Sequence, residues 1–349
     1  TWVSDERNRM STIVDVSKLA GVSKATVSRV INGTGQVKQS TKDSVFAAME
    51  QLGYRPNRTA QALATNKTDT VALVLSNYDS TRWGVLLQQI SIQLQSEGKT
   101  LTVIDGKNDP QHEYEVIRQL EGQFDAILLY SRTLSDEHIQ TLESQLSVPF
   151  VVLNRASMAG NYHSVSIDQS SLIVTAMEHL ISCGHKSIAC ITGPIDNPTG
   201  KARIEGYKRA LESSRLPYNP SLVLSGDYHI RSGYDLCTNL LKLNVKFTAI
   251  LAFNDNMALG AIKALSEEGV HVPSQVSVIG IDNDPFGEFS TPELTTIDLP
   301  IELMAQNAVK LALKLRDEAV PYEPKILNGN LISRNSVTPF HANKSWLSF

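Results

Sequence analysis

The chain has 349 residues, enough for two or three domains with cores of their own. Its 42% hydrophobic and 19% charged content is that of ordinary globular protein, and no apolar run approaches the roughly 20 residues of a bilayer-spanning helix. The net charge of −4 is unevenly spread: residues 10–66 carry seven cations against three acids, residues 1–9 are neutral, and residues 67–349 hold −8. A small basic head on an acidic body points to a polyanion as the partner of the head.

The opening stretch "TWVSDERNR" is polar and mixed in charge, unlike a secretory signal, and reads as a tag remnant or misassigned leader with the natural start at Met10. Next come three short helices. Thr12 can cap the first, with Asp15 three residues on, and Ile13, Val16 and Leu19 supply its apolar face. Gly21 breaks it. Ser23 caps a second helix that ends near Asn32, and Ser40 caps a third, whose Val45, Met49 and Leu52 face inward. Helix, tight glycine turn, helix is the helix-turn-helix pattern. In "VSKATVSRVIN" (22–32) the residues Val22, Val27, Val30 and Ile31 form one face, leaving the other small, hydroxyl-rich and cationic. A solvated helix can carry such a face idly, whereas a helix lying in a DNA groove requires it.

The segment "YRPNRTAQALATNKT" (54–68) follows. Pro56 stops the third helix, and Asn57 can cap one further short helix over 58–64. Two turns alone are marginal in water, so this segment reads as a hinge that orders on binding.

After Asp69 the texture turns to α/β. "TVALVLS" (70–76), "TLTVIDG" (100–106), "DAILLYS" (125–131) and "PFVVLNR" (149–155) read as buried strands separated by amphipathic helices. The pattern starts again with "SIACITG" (187–193), "SLVLSGD" (221–227), "TAILAFN" (248–254) and "VSVIGID" (276–282). This is a duplication of βα units, giving two parallel-sheet subdomains side by side. Polar residues gather where the strands end, at Ser76, Ser131, Asn154, Asn254 and Asp282, which is the edge where open α/β sheets bind ligands.

Enzyme signatures are missing from the sequence. "GPIDNPTGKA" (193–202) has the wrong glycine spacing for a phosphate loop, and Ala202 stands where a Ser or Thr would hold magnesium. Neither a GxSxG elbow nor a GxGxxG after a strand occurs. Cys183, Cys190 and Cys237 form no CxxC pair, and the eight histidines form no HExxH, so reduced thiols of a cytoplasmic protein are expected, with no metal and no cofactor.

"TIVDVSKLAGVSKATVSRVING" resembles the N-terminus of the lactose/galactose repressor family almost position by position. "YRPNRTAQALA" is similar to that family's linker and hinge helix. The duplicated body, including "AFNDNMALGAIKAL" and "VSVIGIDN", resembles its periplasmic-binding-protein-like core. The resemblance covers Thr12 to Pro339, nearest in flavour to galactose- and β-glucoside-type repressors. It implies a helix-turn-helix head over 10–57, a hinge over 58–68 and an effector-binding core over 69–340. Within that core, one subdomain takes about 69–166 plus 298–325 and the other about 167–297 plus 326–340.

For the head, the resemblance implies Lys24, Ala25 and Arg29 facing base edges, with Ser23, Thr26, Ser28 and Asn32 near phosphates. Lys24 departs from the apolar residue of galactose repressors, so their operator sequence is not carried over. In the hinge it implies contacts from Asn57, Arg58 and Ala60, with Leu63 wedged into the minor groove; the other role for Leu63 is packing on its own body.

For the cleft, the resemblance implies effector contacts from Asn254, Asp282 and Arg203, and further ones from Tyr228, Asn154, Arg155, Asp168 and Ser76, with Arg132 a weaker candidate. Plain structural roles stand beside these. Asp255 can cap the helix that follows it, Asp282 can sit in its Asn283-Asp284-Pro285 turn, and Arg203 can be a surface residue. Trp83 shares a stripe with Leu86, Leu87, Ile90 and Leu94, which suits a core residue as well as a wall against a sugar ring.

The expectation is a cytoplasmic homodimer, binding pseudo-palindromic operator DNA as a repressor switched by a small carbohydrate. A purine- or nucleoside-responsive regulator is the runner-up, ahead of a sugar-binding protein without DNA function. The core pattern closes at "LISRNSVTPF" (331–340), and "HANKSWLSF" is too short for the leucine heptads that join some family members into tetramers.

Overall fold

A computed structural model describes residues 11–56, 67–78, 82–157, 159–243 and 245–340. Among the expectations above, the Met10 start, the hinge helix, the wedge at Leu63 and the tail after 340 lie outside these residues. Two compact units result: the chain up to Asp69 together with Gln123–Asp125, and the remainder from Thr70.

The first unit holds helices α1 (Ile13–Leu19), α2 (Lys24–Ile31) and α3 (Gln39–Gln51). Thr12 and Asp15 form a capping box: Asp15 N–H donates to Thr12 Oγ1, and Thr12 N–H donates to Asp15 Oδ2 at 2.9 Å. Gly21, at φ +68°, supplies the left-handed residue that lets the chain turn. Ser23 Oγ then accepts Thr26 N–H at 3.1 Å and starts α2, which ends at Asn32. Val16, Val27, Val30, Val45 and Ala48 form the small core, with Ile13, Val22, Met49 and Leu52 packed around it.

Two local expectations fail here. Leu19 is 45% exposed, because the inward stripe of α1 runs through Ile13, Val16 and Ala20, and Leu19 lies about 100° away from Ala20. Ser40 does not cap α3: the helix begins at Gln39 behind Lys38, without a side-chain cap, and the Ser40 carbonyl instead accepts Ser44 Oγ at 3.0 Å.

The second unit contains two parallel sheets. The first has strands β1 (Thr70–Leu75), β2 (Thr100–Asp105), β3 (Ala126–Tyr130), β4 (Phe150–Leu153), β5 (Ser164–Ile167) and β11 (Lys325–Leu327), in the order β11-β5-β4-β3-β1-β2. The second has β6 (Ile188–Thr192), β7 (Val223–Ser225), β8 (Ala249–Ala252) and β9 (Ser277–Ile279), in the order β7-β6-β8-β9. β1, β3, β4, β6 and β8 are almost wholly buried, as strands covered on both faces must be. This is the expected α/β architecture of two parallel-sheet subdomains, following a helical head in the chain.

Helices α4 (Trp83–Ser96), α5 (Pro110–Gln119) and α6 (Asp136–Gln145) alternate with the strands of the first sheet. α7 (Gln169–Ser182), α8 (Pro198–Ser213), α9 (Ile230–Lys242) and α10 (Asp255–Glu267) do so in the second half. After the short α11 (Pro285–Glu288) and β10 (Thr296–Asp298), helix α12 (Ile301–Asp317) returns to pack on α4, β3, β4 and β5. β10 pairs antiparallel with β12 (Asn330–Ile332). The chain therefore passes between the subdomains at three places: after Ile167, after Asp298 and after Leu327. At the third, a Cβ on Gly329 would stand 2.5 Å from the Asp298 carbonyl, so two of these strands touch backbone to backbone. β11 belongs to the first sheet through Leu327, two residues beyond the expected change at 325/326.

One buried acid on the first subdomain has a pH consequence. Glu143 on α6 has Oε1 4.0 Å from His163 Nε2, and its Oε2 has no hydrogen-bond partner. Burial pushes its carboxyl from 4.5 up to about 7, against a hydrogen bond from Tyr322 that lowers it. The folded protein thus holds this proton more tightly than the unfolded chain does. Glu143 favours folding at low pH, and that contribution is lost as pH rises from 4.5 to about 7. Burial lowers the His163 pKa, so its neutral form favours folding at high pH, and that contribution is lost as pH falls through its range. Glu143→Gln should raise Tm at pH 8 and flatten its decline between pH 5 and 8 in a thermal melt; Tm–pH curves parallel to wild type would refute the assignment.

Candidate functional site

α2 has two faces. Val27 and Val30 are buried in the head, while Ser23, Lys24, Ala25 and Arg29 are exposed and Thr26, Ser28 and Asn32 are half-buried. Ala25 and Arg29 are one turn apart on the open side, and Lys24 precedes Ser28 by one turn. Asn32 Nδ2 donates to Ser28 Oγ at 3.3 Å, which fixes the polar flank of the helix. All seven head residues singled out in the sequence thus fall on α2 or its caps. Asn57, Arg58, Ala60 and Leu63 lie outside the described residues.

In the second unit a cavity of about 770 Å³ opens at the carboxyl ends of the strands of both sheets. That size suits a small organic ligand. Asn77 and Tyr78 follow β1, Arg132 and Thr133 follow β3, Tyr228 follows β7, and Asn254 and Asp282 follow β8 and β9.

Its inner wall carries a charge group: Arg82 and Asp282 line the cavity, and Arg203 is buried behind them. Arg82 Nη1 donates to Asp282 Oδ1 at 2.7 Å, and Arg203 Nη2 stands 3.7 Å from the same oxygen. Burial pushes the Asp282 carboxyl up, and Arg82, Arg203 and Arg132 pull it back down. Burial lowers the Arg203 guanidinium. At Arg82 burial also pulls downward, but Asp282, Tyr130, Tyr228 and Asp255 together raise it. Arg203 is wholly buried rather than on the surface: Nε donates to Gln169 Oε1 at 2.8 Å and Nη1 donates to the Phe253 carbonyl. Gln169 Nε2 donates in turn to Asn154 Oδ1 at 2.8 Å, and Asn154 Nδ2 donates to Tyr130 Oη at 2.6 Å.

Tyr228 covers Gly193 so closely that a Cβ there would lie 2.0 Å from its ring. Its backbone is left-handed (φ +72°), and Asp282 lies at φ +121°, conformations that cost a non-glycine residue about 1–3 kcal/mol each. Asn254 Nδ2 donates to the Tyr228 carbonyl at 2.8 Å, and Asn254 Oδ1 caps α10 by accepting Met257 N–H. The cap of that helix is therefore Asn254 rather than Asp255. The Asp255 carboxylate accepts Asp284 N–H at 2.7 Å and Thr296 Oγ1 at 2.6 Å instead, and burial pushes its pKa well up.

Of the candidates from sequence, Tyr228, Asn254 and Asp282 line the cavity, and Arg132 does so too. Arg203 and Asn154 belong to the hydrogen-bonded group behind it. Ser76 Oγ accepts Arg132 N–H at 2.7 Å and so places that arginine. Trp83 is buried edge-on against Tyr130, with ring centroids 4.7 Å apart, as part of the core stripe. Two others stand apart from the lining: Arg155 pairs with Asp136 at 3.0 Å and donates to the Leu134 carbonyl, and Asp168 caps α7 through Ser171 N–H. Arg82 was missed. Its signal was a cation at the N-cap of α4, where the helix dipole disfavours one and a carboxylate partner is needed.

Residues 12–57 match the family described as bacterial regulatory proteins, lacI family, and residues 177–337 match a periplasmic binding protein-like domain. The chain is 39% identical over 331 residues to the HTH-type transcriptional regulator AscG of Escherichia coli (strain K12), covering 94% of this chain and 98% of that one. The lac repressor dimer bound to operator and the anti-inducer ONPF superposes with a TM-score of 0.87 at 27% identity, covering 95% of this chain and 100% of the other. A transcriptional regulator CelR–cellobiose complex gives 0.69 at 31% identity, covering 93% and 99%. With the helix-turn-helix head and the two-sheet core both present, the chain belongs to the LacI family, as a DNA-binding transcriptional regulator with a periplasmic-binding-protein-like core.

Proposed function

We propose that the protein is a cytoplasmic, homodimeric repressor whose affinity for a pseudo-palindromic operator is switched by a small carbohydrate in the cleft. The observation that carries the effector half is the Arg82–Asp282 ion pair. Arg82 opens a helix packed in the first subdomain, and Asp282 follows a strand of the second, so the pair spans the two. A ligand that engages either group changes the strength of that link. Ligand binding thereby acquires the differential affinity for two orientations that any switch requires, typically about 1–3 kcal/mol of coupling. A carbohydrate suits the cleft because Tyr228 offers a ring face beside amides and charged groups, and a relative is described as a cellobiose complex. The lac repressor described as an operator-bound dimer supports the two-fold assembly. In the DNA half, Lys24, Ala25 and Arg29 read base edges, and Ser23, Thr26, Ser28 and Asn32 position α2 on phosphates. On sequence grounds Asn57, Arg58, Ala60 and Leu63 contact the minor groove between the heads. The reading assigns the chain no catalytic role.

Operator affinity, measured with and without sugars on a DNA fragment selected by the purified protein, tests the whole. A protein that selects no sequence, or whose selected site ignores every carbohydrate, would refute it.

Arg29→Ala should erase preference among operator variants at one base position, a loss of about 1–3 kcal/mol of discrimination for a bidentate contact. Lys38→Ala should instead weaken all DNA alike and flatten the salt dependence. Equal losses on all sequences for Arg29→Ala would remove its base-reading role.

Tyr228 offers a clean test in the cleft, because its buried hydroxyl has no partner. Tyr228→Phe should leave Tm unchanged or raised, yet weaken the effector by about 1 kcal/mol, roughly fivefold. Asp282→Ala, by contrast, strips the carboxylate from two buried arginines and should cost about 3–5 kcal/mol of stability as well as the response. Calorimetry and thermal melts on both variants check the contrast; wild-type effector affinity in Tyr228→Phe would exclude its hydroxyl from the site.

A further inference from the structure

A second side-chain contact crosses between the subdomains, and it lies behind the cavity rather than in its lining. Gln169 opens α7, which packs on α8 and β8 of the second subdomain. Asn154 follows β4 in the first, where its N–H donates to the Val165 carbonyl of β5 at 2.8 Å. Gln169 Nε2 donates to Asn154 Oδ1 at 2.8 Å, across the boundary. The buried Arg203 fixes the sense of this bond. A guanidinium can only donate, so Arg203 Nε turns Gln169 Oε1 towards itself at 2.8 Å. The Gln169 NH2 group is left to face Asn154, and the Asn154 NH2 group to face Tyr130 Oη at 2.6 Å.

The two crossings share their ends. In the second subdomain Arg203 stands between them, bonded to Gln169 and 3.7 Å from Asp282 Oδ1. In the first, Tyr130 packs edge-on against Trp83, the residue after Arg82, with ring centroids 4.7 Å apart. Arg82 closes the loop on Asp282 at 2.7 Å. Arg203 Nη2 is buried without a hydrogen-bond partner. It is therefore the group to which Asp282 turns when Arg82 is drawn away. A guanidinium is planar and rigid, so moving its Nη2 towards Asp282 moves its Nε as well and disturbs the bond to Gln169.

We propose that Gln169 is a positioning residue of the switch: its amide ties the subdomains in series with the Arg82–Asp282 pair, so that the two links loosen together. This rests on the role given above to that ion pair and extends it to a residue outside the cavity lining. Asn154 is then a link between subdomains and not an effector contact. A buried polar chain of this kind responds as a unit, because each bond sets the direction of the next.

The test reads subdomain orientation in the full chain, free of ligand. Spin labels go on Glu137→Cys and Arg209→Cys, both exposed, on α6 of the first subdomain and α8 of the second, in a Cys183→Ser background. Labelled chain is diluted into unlabelled chain, so that the pulsed electron-resonance distance is that within one chain. Gln169→Met, which keeps the length and loses both bonds, should change the ratio of orientations about tenfold, the worth of a hydrogen bond to a charged group. Gln169→Glu should stay near wild type: Arg203 keeps its acceptor, and Asn154 can turn its amide to donate to the carboxylate while Tyr130 donates to Asn154. A packing role alone predicts the reverse order, with Met tolerated and Glu disruptive. Arg82→Met together with Gln169→Met should move the ratio no further than the larger single change, whereas independent links multiply. Where Gln169→Met does not melt cooperatively, Asn154→Gly breaks the same bond at a φ of +56°, which glycine adopts freely, and should give the same shift. Wild-type distances in Gln169→Met or Asn154→Gly, a Gln169→Glu variant as shifted as Gln169→Met, or a double variant equal to the product would overturn the inference. These distances need neither operator nor effector: a chain that selected no operator would overturn the repressor reading, and the distances would still decide this one.

Discussion

Asp282 is the constraint around which the second unit is arranged. A carboxylate with only 7% of its side chain exposed is costly unless it is paired, and the pairing has to be supplied from elsewhere in the chain. Arg82, 200 residues away in sequence, supplies it across the gap between subdomains. Arg203 stands behind, steered by Gln169 and the Phe253 carbonyl rather than by the acid alone. The backbone at Asp282 is itself strained, so the residue is held by its surroundings and not by local preference. Chain crossings after Ile167, Asp298 and Leu327 keep the two sheets close enough for this contact to exist.

The head obeys a simpler rule. Its core is five small residues, so α2 keeps only a narrow apolar edge and leaves the rest of its surface open. Capping by Thr12 and Ser23 stabilises helices too short to persist alone, each cap contributing about 1 kcal/mol. A helix that owes its stability to caps and one buried edge can expose Lys24, Ala25 and Arg29 without loss. In the second unit the opposite holds: polar groups that the ligand would meet are also those that hold the walls, as Asn254 does for both the Tyr228 carbonyl and α10.

What could be read from sequence follows the range of the interactions. Strands β1, β3, β6 and β8 announce themselves as continuous apolar runs, because both faces are covered. The caps at Thr12 and Ser23 are equally local. β5, β10 and β12 are short segments with no comparable apolar run, and their pairing depends on distant strands, so no local pattern marks them. Ser40 looked like a cap because its residue type suits one, but α3 begins one residue before it, at Gln39. Among the site residues, Asn254 and Asp282 stand at strand ends and were visible by position. Asp168 and Arg155 stand at similar ends yet satisfy local needs, a helix cap and a surface ion pair. Strand-end position alone does not separate the two kinds.

Arg203 shows why the electrostatics of the cleft are not a count of charges. It lies beside Asp282 yet beyond hydrogen-bonding distance, and burial lowers its pKa, whereas Arg82 at the same carboxylate is raised. Burial is the largest influence on both; at Arg82 the nearby Asp282, Tyr130, Tyr228 and Asp255 together outweigh it, whereas at Arg203 it prevails and the Arg82 charge adds to it. Each arginine is therefore answered to a different degree, from Arg82 through Arg203 to Arg132, whose guanidinium meets aromatic rings rather than an acid. Arg82 and Arg132 both line the cavity, whereas Arg203 is wholly buried. The cavity wall thus presents one arginine tied to a carboxylate of the other subdomain and one that meets only aromatic rings.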